Sequence, residues 1–343
     1  MEINHLVMRS AIIKLIRRWF DERGFTEMHT PRLVGLPGQE PYLEPFWTDV
    51  IEESGPRHSA ALITSPEYMM KRILASGLDK IYDLGPCFRN NEPWDGTHDP
   101  EFLLLEWYRR DAGLEDLMRD TEEMVKWVMN QFVVLNEGRP TAEVEGPFLK
   151  ILRQAQDDRQ WRRLTVEQAW KEYCGIELAT LLENREAMVQ VCRDRGQAVV
   201  SDDTWDDLYF KVFLSEIEPK LGEVPTFLYR YPASMAALAR RSSDNPRWAD
   251  RVELYVGDYE LANGFAELSD PVEQRKRFEE EQELRKSLGK KSWPIDEKFI
   301  QALPQMGNAA GIAFGVERLV MLLTGAKSIN DILPASARER FGG

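Results

Sequence analysis

The chain has 343 residues, 43% hydrophobic and 30% charged, which fits a globular protein with one large core or two modest ones. No run approaches the roughly 18–20 apolar residues of a membrane span, and the amphipathic start MEINHLVMRSAIIKLIRRWF lacks a signal peptide's apolar core, so a cytoplasmic protein without membrane partners is expected. A net charge of −14, from 44 basic and 58 acidic residues, argues against a large nucleic-acid footprint, and Cys87, Cys174 and Cys192 contain no CxxC pair to build a disulfide framework or zinc site.

Ile12, Leu15, Ile16, Trp19 and Phe20 recur at helical spacing, so a helix is predicted over 6–20, with Gly24 as its C-cap. Residues 25–30 read as a short strand stopped by Pro31, and extended segments follow at 45–52 and 60–64. Ser65-Pro66-Glu67 marks a helix start with Pro at an early helical position. Residues 80–84 and 102–108 read as strands around a turn-rich loop, and 114–135 as a helix. The polar, irregular stretch 136–164 reads as an insertion, whereas 168–195 and 203–218 are helical by period. Strands return with TFLYRY and RVELYVGDYELANGFAEL, in which Asn263-Gly264 is a turn signal. Residues 272–288 form a charged helix with a solvated face. GIAFGVERLVMLL reads as a strand or turn entering a helix. Strands at both ends of the chain with helices between them predict an α+β fold: one mixed antiparallel sheet flanked by helices.

The stretch CFRNNEPWDGTHDPEFLLLEWY gathers Arg89, Asn90, Asn91, Glu92, His98 and Phe102 around one loop. A guanidinium fork matches a pair of anionic oxygens, and an aromatic face stacks on a planar base. That chemistry is nucleotide handling with charge developing on a phosphate. A hairpin with ordinary surface charges is the plain alternative, and motifs elsewhere decide between the two.

Three segments resemble, in order, the three motifs of class II aminoacyl-tRNA synthetases: the long helix and strand ending at Pro31, FRNNE…HDPEF, and GIAFGVERL with Arg318. TSPEYMMKRIL, HDPEFLLLEWY, PTFLYRYPAS and ELANGFAEL resemble the lysine branch. Within it the chain is most similar to the elongation factor P–lysine ligases, free-standing paralogues of the lysyl-tRNA synthetase catalytic domain. The similarity runs over 7–333 except 136–164. The first-motif helix starts at about residue 6, so no β-barrel anticodon-binding domain is expected ahead of it. Ala313 stands where the synthetases have glycine and the ligases alanine. One methyl there would be worth about 1–3 kcal/mol of discrimination in the amino-acid pocket.

The resemblance implies a single class II synthetase-like catalytic domain over 1–343, homodimeric through the first helix and strand. It implies ATP and Mg2+ as cofactors, activation of lysine as an adenylate, and transfer to a lysine side chain of elongation factor P without stable tRNA binding. Ala313 favours (R)-β-lysine, with α-lysine left open. A truncated synthetase-like enzyme adenylating another amino acid and an inactive regulatory paralogue are the alternatives. Retention of Arg89, Glu253, Glu260 and Arg318 argues against the second.

By the same resemblance Arg89 would hold the α-phosphate and substrate carboxylate, and Arg318 and His98 the outer phosphates. These two arginines carry the implied catalysis. Phe102 would stack on adenine, with Asn91 or Glu92 reading its amine; Asn90, Asp99, Leu261 and Gly315 complete the implied ATP site. Glu253 and Glu260 resemble carboxylates that hold magnesium, as hard oxygen ligands should, and Glu260 is also assigned to ATP. Ser65, Pro66, Glu67, Tyr108, Asn263, Glu267 and Ala313 would line the amino-acid pocket, where two carboxylates suit a substrate with two ammonium groups. Each side chain alone has an ordinary role: exposed strand glutamates, a helix-start charge at Glu67, a core aromatic at Phe102. The loop is one residue longer than the family's spacing, and Asp99 replaces the usual asparagine, bringing negative charge near the nucleotide.

Overall fold

A computed structural model of the protein describes residues 3–136, 161–222, 224–236 and 238–342. Most of the expected insertion, 137–160, lies outside the described residues. The chain divides into two compact units, residues 1–149 with 266–343, and residues 150–265.

In the first unit the helix Ile3–Asp21 buries Ile12, Leu15, Ile16, Trp19 and Phe20, the stripe that its periodicity predicts. Phe20 stacks on Tyr82 at 4.7 Å and lies 5.3 Å from Trp107, so aromatic packing joins this helix to the sheet. The strands are β1 (Thr26–Glu27), β2 (Leu33–Val34), β3 (Trp47–Ile51), β4 (Arg57–Leu62), β5 (Lys80–Phe88) and β6 (Glu101–Arg110), with Ala309–Gly315 returning later as β11. The main sheet of this unit runs β1-β5-β6-β11, parallel at β1/β5 and antiparallel at β5/β6 and β6/β11. A small sheet, β2-β4-β3, holds the segment after Pro31. Pro66 is the N-cap of the helix Glu67–Ala75, one position earlier than its expected place inside the helix.

The second unit orders β7 (Arg162–Thr165), β8 (Thr226–Pro232), β9 (Trp248–Val256) and β10 (Tyr259–Ala266) as β10-β9-β8-β7. Its core includes Trp170, Leu208, Tyr209 and Phe213. Three expectations are corrected here. Residues 162–164, assigned to the irregular stretch, are strand and pair with Thr226–Leu228. The helical run 168–195 is broken: Gly175 caps Val166–Cys174 in the left-handed region, and a new helix starts only at Arg185 behind the Asn184 cap. Asn263-Gly264 is not a turn; both lie within β10, and the chain reverses at Gly257-Asp258, with Gly257 at φ 59°.

The charged helix Pro271–Ser287 also departs from expectation. It buries Gln274, Phe278 and Arg285, so the solvated reading holds for only part of its circumference.

Candidate active site

Alternate residues of a strand share a face, and register aligns those faces between neighbours. Asp83↔Glu106, Gly85↔Leu104 and Cys87↔Phe102 on β5/β6 continue into Tyr108↔Gly311, Glu106↔Ala313 and Leu104↔Gly315 on β6/β11. One face of the first unit therefore carries Phe102, Glu106, Tyr108, Gly311, Ala313 and Gly315 together. Glycine is required at 311, because a Cβ there would lie 2.1 Å from the Tyr108 ring and 2.8 Å from a Glu267 carboxylate oxygen.

At the phosphate end, Arg89 follows β5 directly, its N–H donating to the Pro100 carbonyl at 3.0 Å. Its guanidinium lies 5.0 Å from the centre of the Phe102 ring, so the two residues assigned to phosphate and base are neighbours. The Arg89 Nε is buried without a hydrogen-bond partner among the described residues. Asn90 donates its N–H to the Glu44 carbonyl at 2.7 Å, while Asn91 sits exposed at φ 61° and Glu92 is half-buried. The His98 Nε2 lies 3.4 Å from an Arg318 Nη2, which brings the residues given to the outer phosphates together. Gly315 caps the helix Val316–Thr324, and the Arg318 side chain runs across its bare Cα. Glu317 is structural: it accepts from Arg9 at 2.8 Å and from the Leu103 N–H at 3.0 Å, tying the first helix to β6.

Asp99 does not bring free charge to the nucleotide. Its buried carboxylate pairs with Arg340 and accepts the N–H groups of Ala337 at 3.0 Å and Glu101 at 3.1 Å. An aspartate there fastens the C-terminal helix, and its cation partner is 241 residues away in sequence, out of reach of local reading.

Around Glu67, Tyr108 and Glu267, the residues expected to line the amino-acid pocket, stand two that the sequence argument missed. The Lys71 ammonium is buried between Glu67 at 2.6 Å and Glu267 at 2.5 Å. Burial works against its charge, but Glu267 and Glu67 outweigh that cost and raise its pKa. The expectation of two carboxylates for two substrate ammonium groups is therefore corrected. Two carboxylates and one internal ammonium leave a single net negative charge (−2 + 1 = −1). A third acid, Glu106, accepts from the Tyr108 hydroxyl at 2.9 Å. Burial, then the nearby Glu67, push its pKa up to about 8. Helical spacing of Glu67 and Lys71, and strand spacing of Glu106 and Tyr108, were the available signals.

The second unit holds the two candidate metal ligands. Register pairs Glu253 with Asn263 and Tyr255 with Glu260, and a bulge at Leu261 keeps Glu260 and Asn263 on one face despite their odd spacing. Glu253 and Glu260 thus share a sheet face. Glu253 is held by Arg251 at 2.6 Å, by the Tyr255 hydroxyl at 2.7 Å and by the Tyr231 hydroxyl. Arg251 also donates to the Asn263 side chain at 3.3 Å and lies 4.6 Å from the Tyr231 ring, which fixes the carboxylate's orientation. Among the described residues no group of three or more His, Cys, Asp or Glu gathers to hold a metal. Two carboxylates fit Mg2+, which commonly takes one or two and fills its remaining positions with water and substrate phosphates.

Antiparallel strands ending in an arginine loop, with a glycine-capped helix leading to a second arginine, define the catalytic fold of a class II synthetase. The family model described as "tRNA synthetases class II (D, K and N)" matches residues 2–336, and the chain belongs to that family. It is similar to the "Elongation factor P--(R)-beta-lysine ligase" of Proteus mirabilis, 35% identical over 96% of this chain and 94% of the relative. Relatives of the same name from Photorhabdus laumondii and Sodalis glossinidius are each 36% identical, covering 97% and 98% of this chain and 95% and 96% of their own lengths.

Proposed function

We propose that the protein is an AMP-forming ligase that activates lysine, as (R)-β-lysine, with ATP and joins it to a lysine side chain of elongation factor P in the cytoplasm. The observation that carries this reading is the near full-length similarity to ligases of that name. In the first half-reaction the amino-acid carboxylate attacks the α-phosphorus, an O–P bond forms and pyrophosphate leaves. Arg89 holds the carboxylate and α-phosphate together and stabilises the charge shifting onto pyrophosphate, while Phe102 carries the base. Tyr108, Glu106 and the Glu67–Lys71–Glu267 triad orient the aminoalkyl chain. In the second half-reaction the acceptor amine attacks the adenylate carbonyl, forms the amide, loses a proton and expels AMP. Glu253 and Glu260 would hold Mg2+, which supplies charge neutralisation on the phosphates when bound.

The test is mass analysis of elongation factor P after incubation with the enzyme, ATP and each lysine isomer, with bulk tRNA as a competing acceptor. A single aminoacyl addition to the protein is expected. Charged tRNA with unmodified protein would overturn the reading. Dimerisation through the first helix and β1 belongs to the same proposal: light scattering at micromolar concentration should give twice the chain mass, and a monodisperse monomer would count against it.

Ala313 supplies a sharper outcome. It lies opposite Glu106 in register and, like Phe102, packs against the Ile63–Cys87–Leu104 cluster, which supports a role for its methyl near the proposed amino-acid pocket. Ala313→Gly is expected to shift the ratio of exchange rates toward α-lysine by roughly five- to 150-fold, the worth of one methyl, with the KM for ATP nearly unchanged. An unchanged isomer ratio would reduce Ala313 to a packing residue.

A further inference from the structure

Arg285, in a helix whose sequence reads as surface, is fully buried and has no role in the site described above. Its Nη1 donates to the carbonyls of Glu40 at 2.9 Å, Pro41 at 3.2 Å and Leu43 at 2.9 Å, and its Nη2 to the Glu44 carboxylate at 3.0 Å. The Nε bonds the Lys291 carbonyl at 2.8 Å, and the guanidinium stacks 4.3 Å from the Trp293 ring. Trp293 in turn donates to the Pro37 carbonyl at 3.0 Å. A buried guanidinium is costly to desolvate, and here it is spent on one loop, residues 40–44.

That loop ends at the phosphate site. The Glu44 carbonyl accepts the N–H of Asn90, the residue after Arg89, at 2.7 Å, and the two residues form an isolated antiparallel bridge. The backbone beside Arg89 is thus gripped on one side by Pro100, through Arg89's own N–H, and on the other by a loop whose conformation Arg285 sets. We propose that Arg285 is a positioning residue for adenylate formation: through Glu44 it fixes the bridge that aims Arg89 at the reacting phosphate. This rests on the assignment of Arg89 to the phosphate in the proposed function. Arg285 itself touches neither substrate.

The experiment compares Arg285→Lys, Glu44→Gln and the double variant with wild type in lysine-dependent ATP–pyrophosphate exchange, alongside amide hydrogen exchange at Asn90 without substrates. A displacement of Arg89 by an ångström or less should lower kcat by about ten- to a hundredfold, with the KM for lysine within about twofold. The double variant should be no worse than the poorer single one, because both break the same link. The Asn90 amide should exchange at least tenfold faster in all three. Glu44→Gln keeps side-chain volume and an acceptor oxygen, so it stays informative if Arg285→Lys folds poorly. Unaltered Asn90 exchange, additive losses in kcat, or lower thermal stability with unchanged kcat would each overturn the proposal. The amide measurement needs no activity, so its failure is separable from failure of the lysine–ATP reading, which the wild-type exchange reports.

Discussion

Arg89→Ala is expected to abolish adenylate formation while leaving the fold intact. The guanidinium stands at the end of β5 against Phe102, with a buried Nε that lacks a hydrogen-bond partner among the described residues. A buried donor without an acceptor costs free energy, and an incoming phosphate or carboxylate oxygen would satisfy it. Because charge builds on the departing pyrophosphate, this contact strengthens in the transition state, and its loss should cost roughly 10²–10³ or more in kcat. Arg89→Lys should recover little, since an ammonium is a point charge without the planar fork. Lysine-dependent pyrophosphate exchange and thermal unfolding check the two halves of the statement. Exchange within tenfold of wild type in a folded Arg89→Ala protein would remove this loop from the phosphate site.

The fold class, the first helix and the strands flanking the Arg89 loop were legible because their signals are local. An apolar stripe at 3.6-residue spacing gave Ile3–Asp21, and the run from Phe102 to Tyr108 gave β6. What misled was chemistry decided at long range. Asn263-Gly264 carries a turn's sequence but sits in strand, because pairing with Val252 and Glu253 claims both residues and Gly257 already provides the reversal. Asp99 reads as a charge beside the nucleotide and Arg285 as a surface charge until partners more than 240 residues away are placed beside them. Lys71 shows the same limit most clearly. Four-residue spacing to Glu67 is by itself that of an ordinary helix-surface pair, worth a few tenths of a kcal/mol. Glu267 comes from a distant strand end, and with it the pair becomes a buried triad.

That triad gives Glu267→Gln the second large effect. The wild-type cluster offers one net negative charge from Glu67, Glu267 and Lys71, and the raised pKa of neighbouring Glu106 lets it respond to an arriving cation. Replacing Glu267 by a neutral amide cancels the net charge: Glu67 is left to balance Lys71 alone, and an arriving substrate ammonium finds no free countercharge beside it. Like charges in a desolvated pocket repel strongly, and breaking a buried ion pair costs on the order of 3–5 kcal/mol. The KM for lysine should therefore rise by a hundredfold or more, with the KM for ATP changed little. Lys71 also loses one of its two counter-ions, so thermal stability should fall in the same variant. Lys71→Met separates the two consequences. It leaves Glu67 and Glu267 facing each other, lowers stability, and creates a vacancy for a cation between them. Millimolar methylammonium should then raise the melting temperature of Lys71→Met and leave wild type unaffected. A Glu267→Gln enzyme with a near wild-type KM for lysine, or a Lys71→Met protein indifferent to the amine, would show that this cluster holds the fold without reading the substrate.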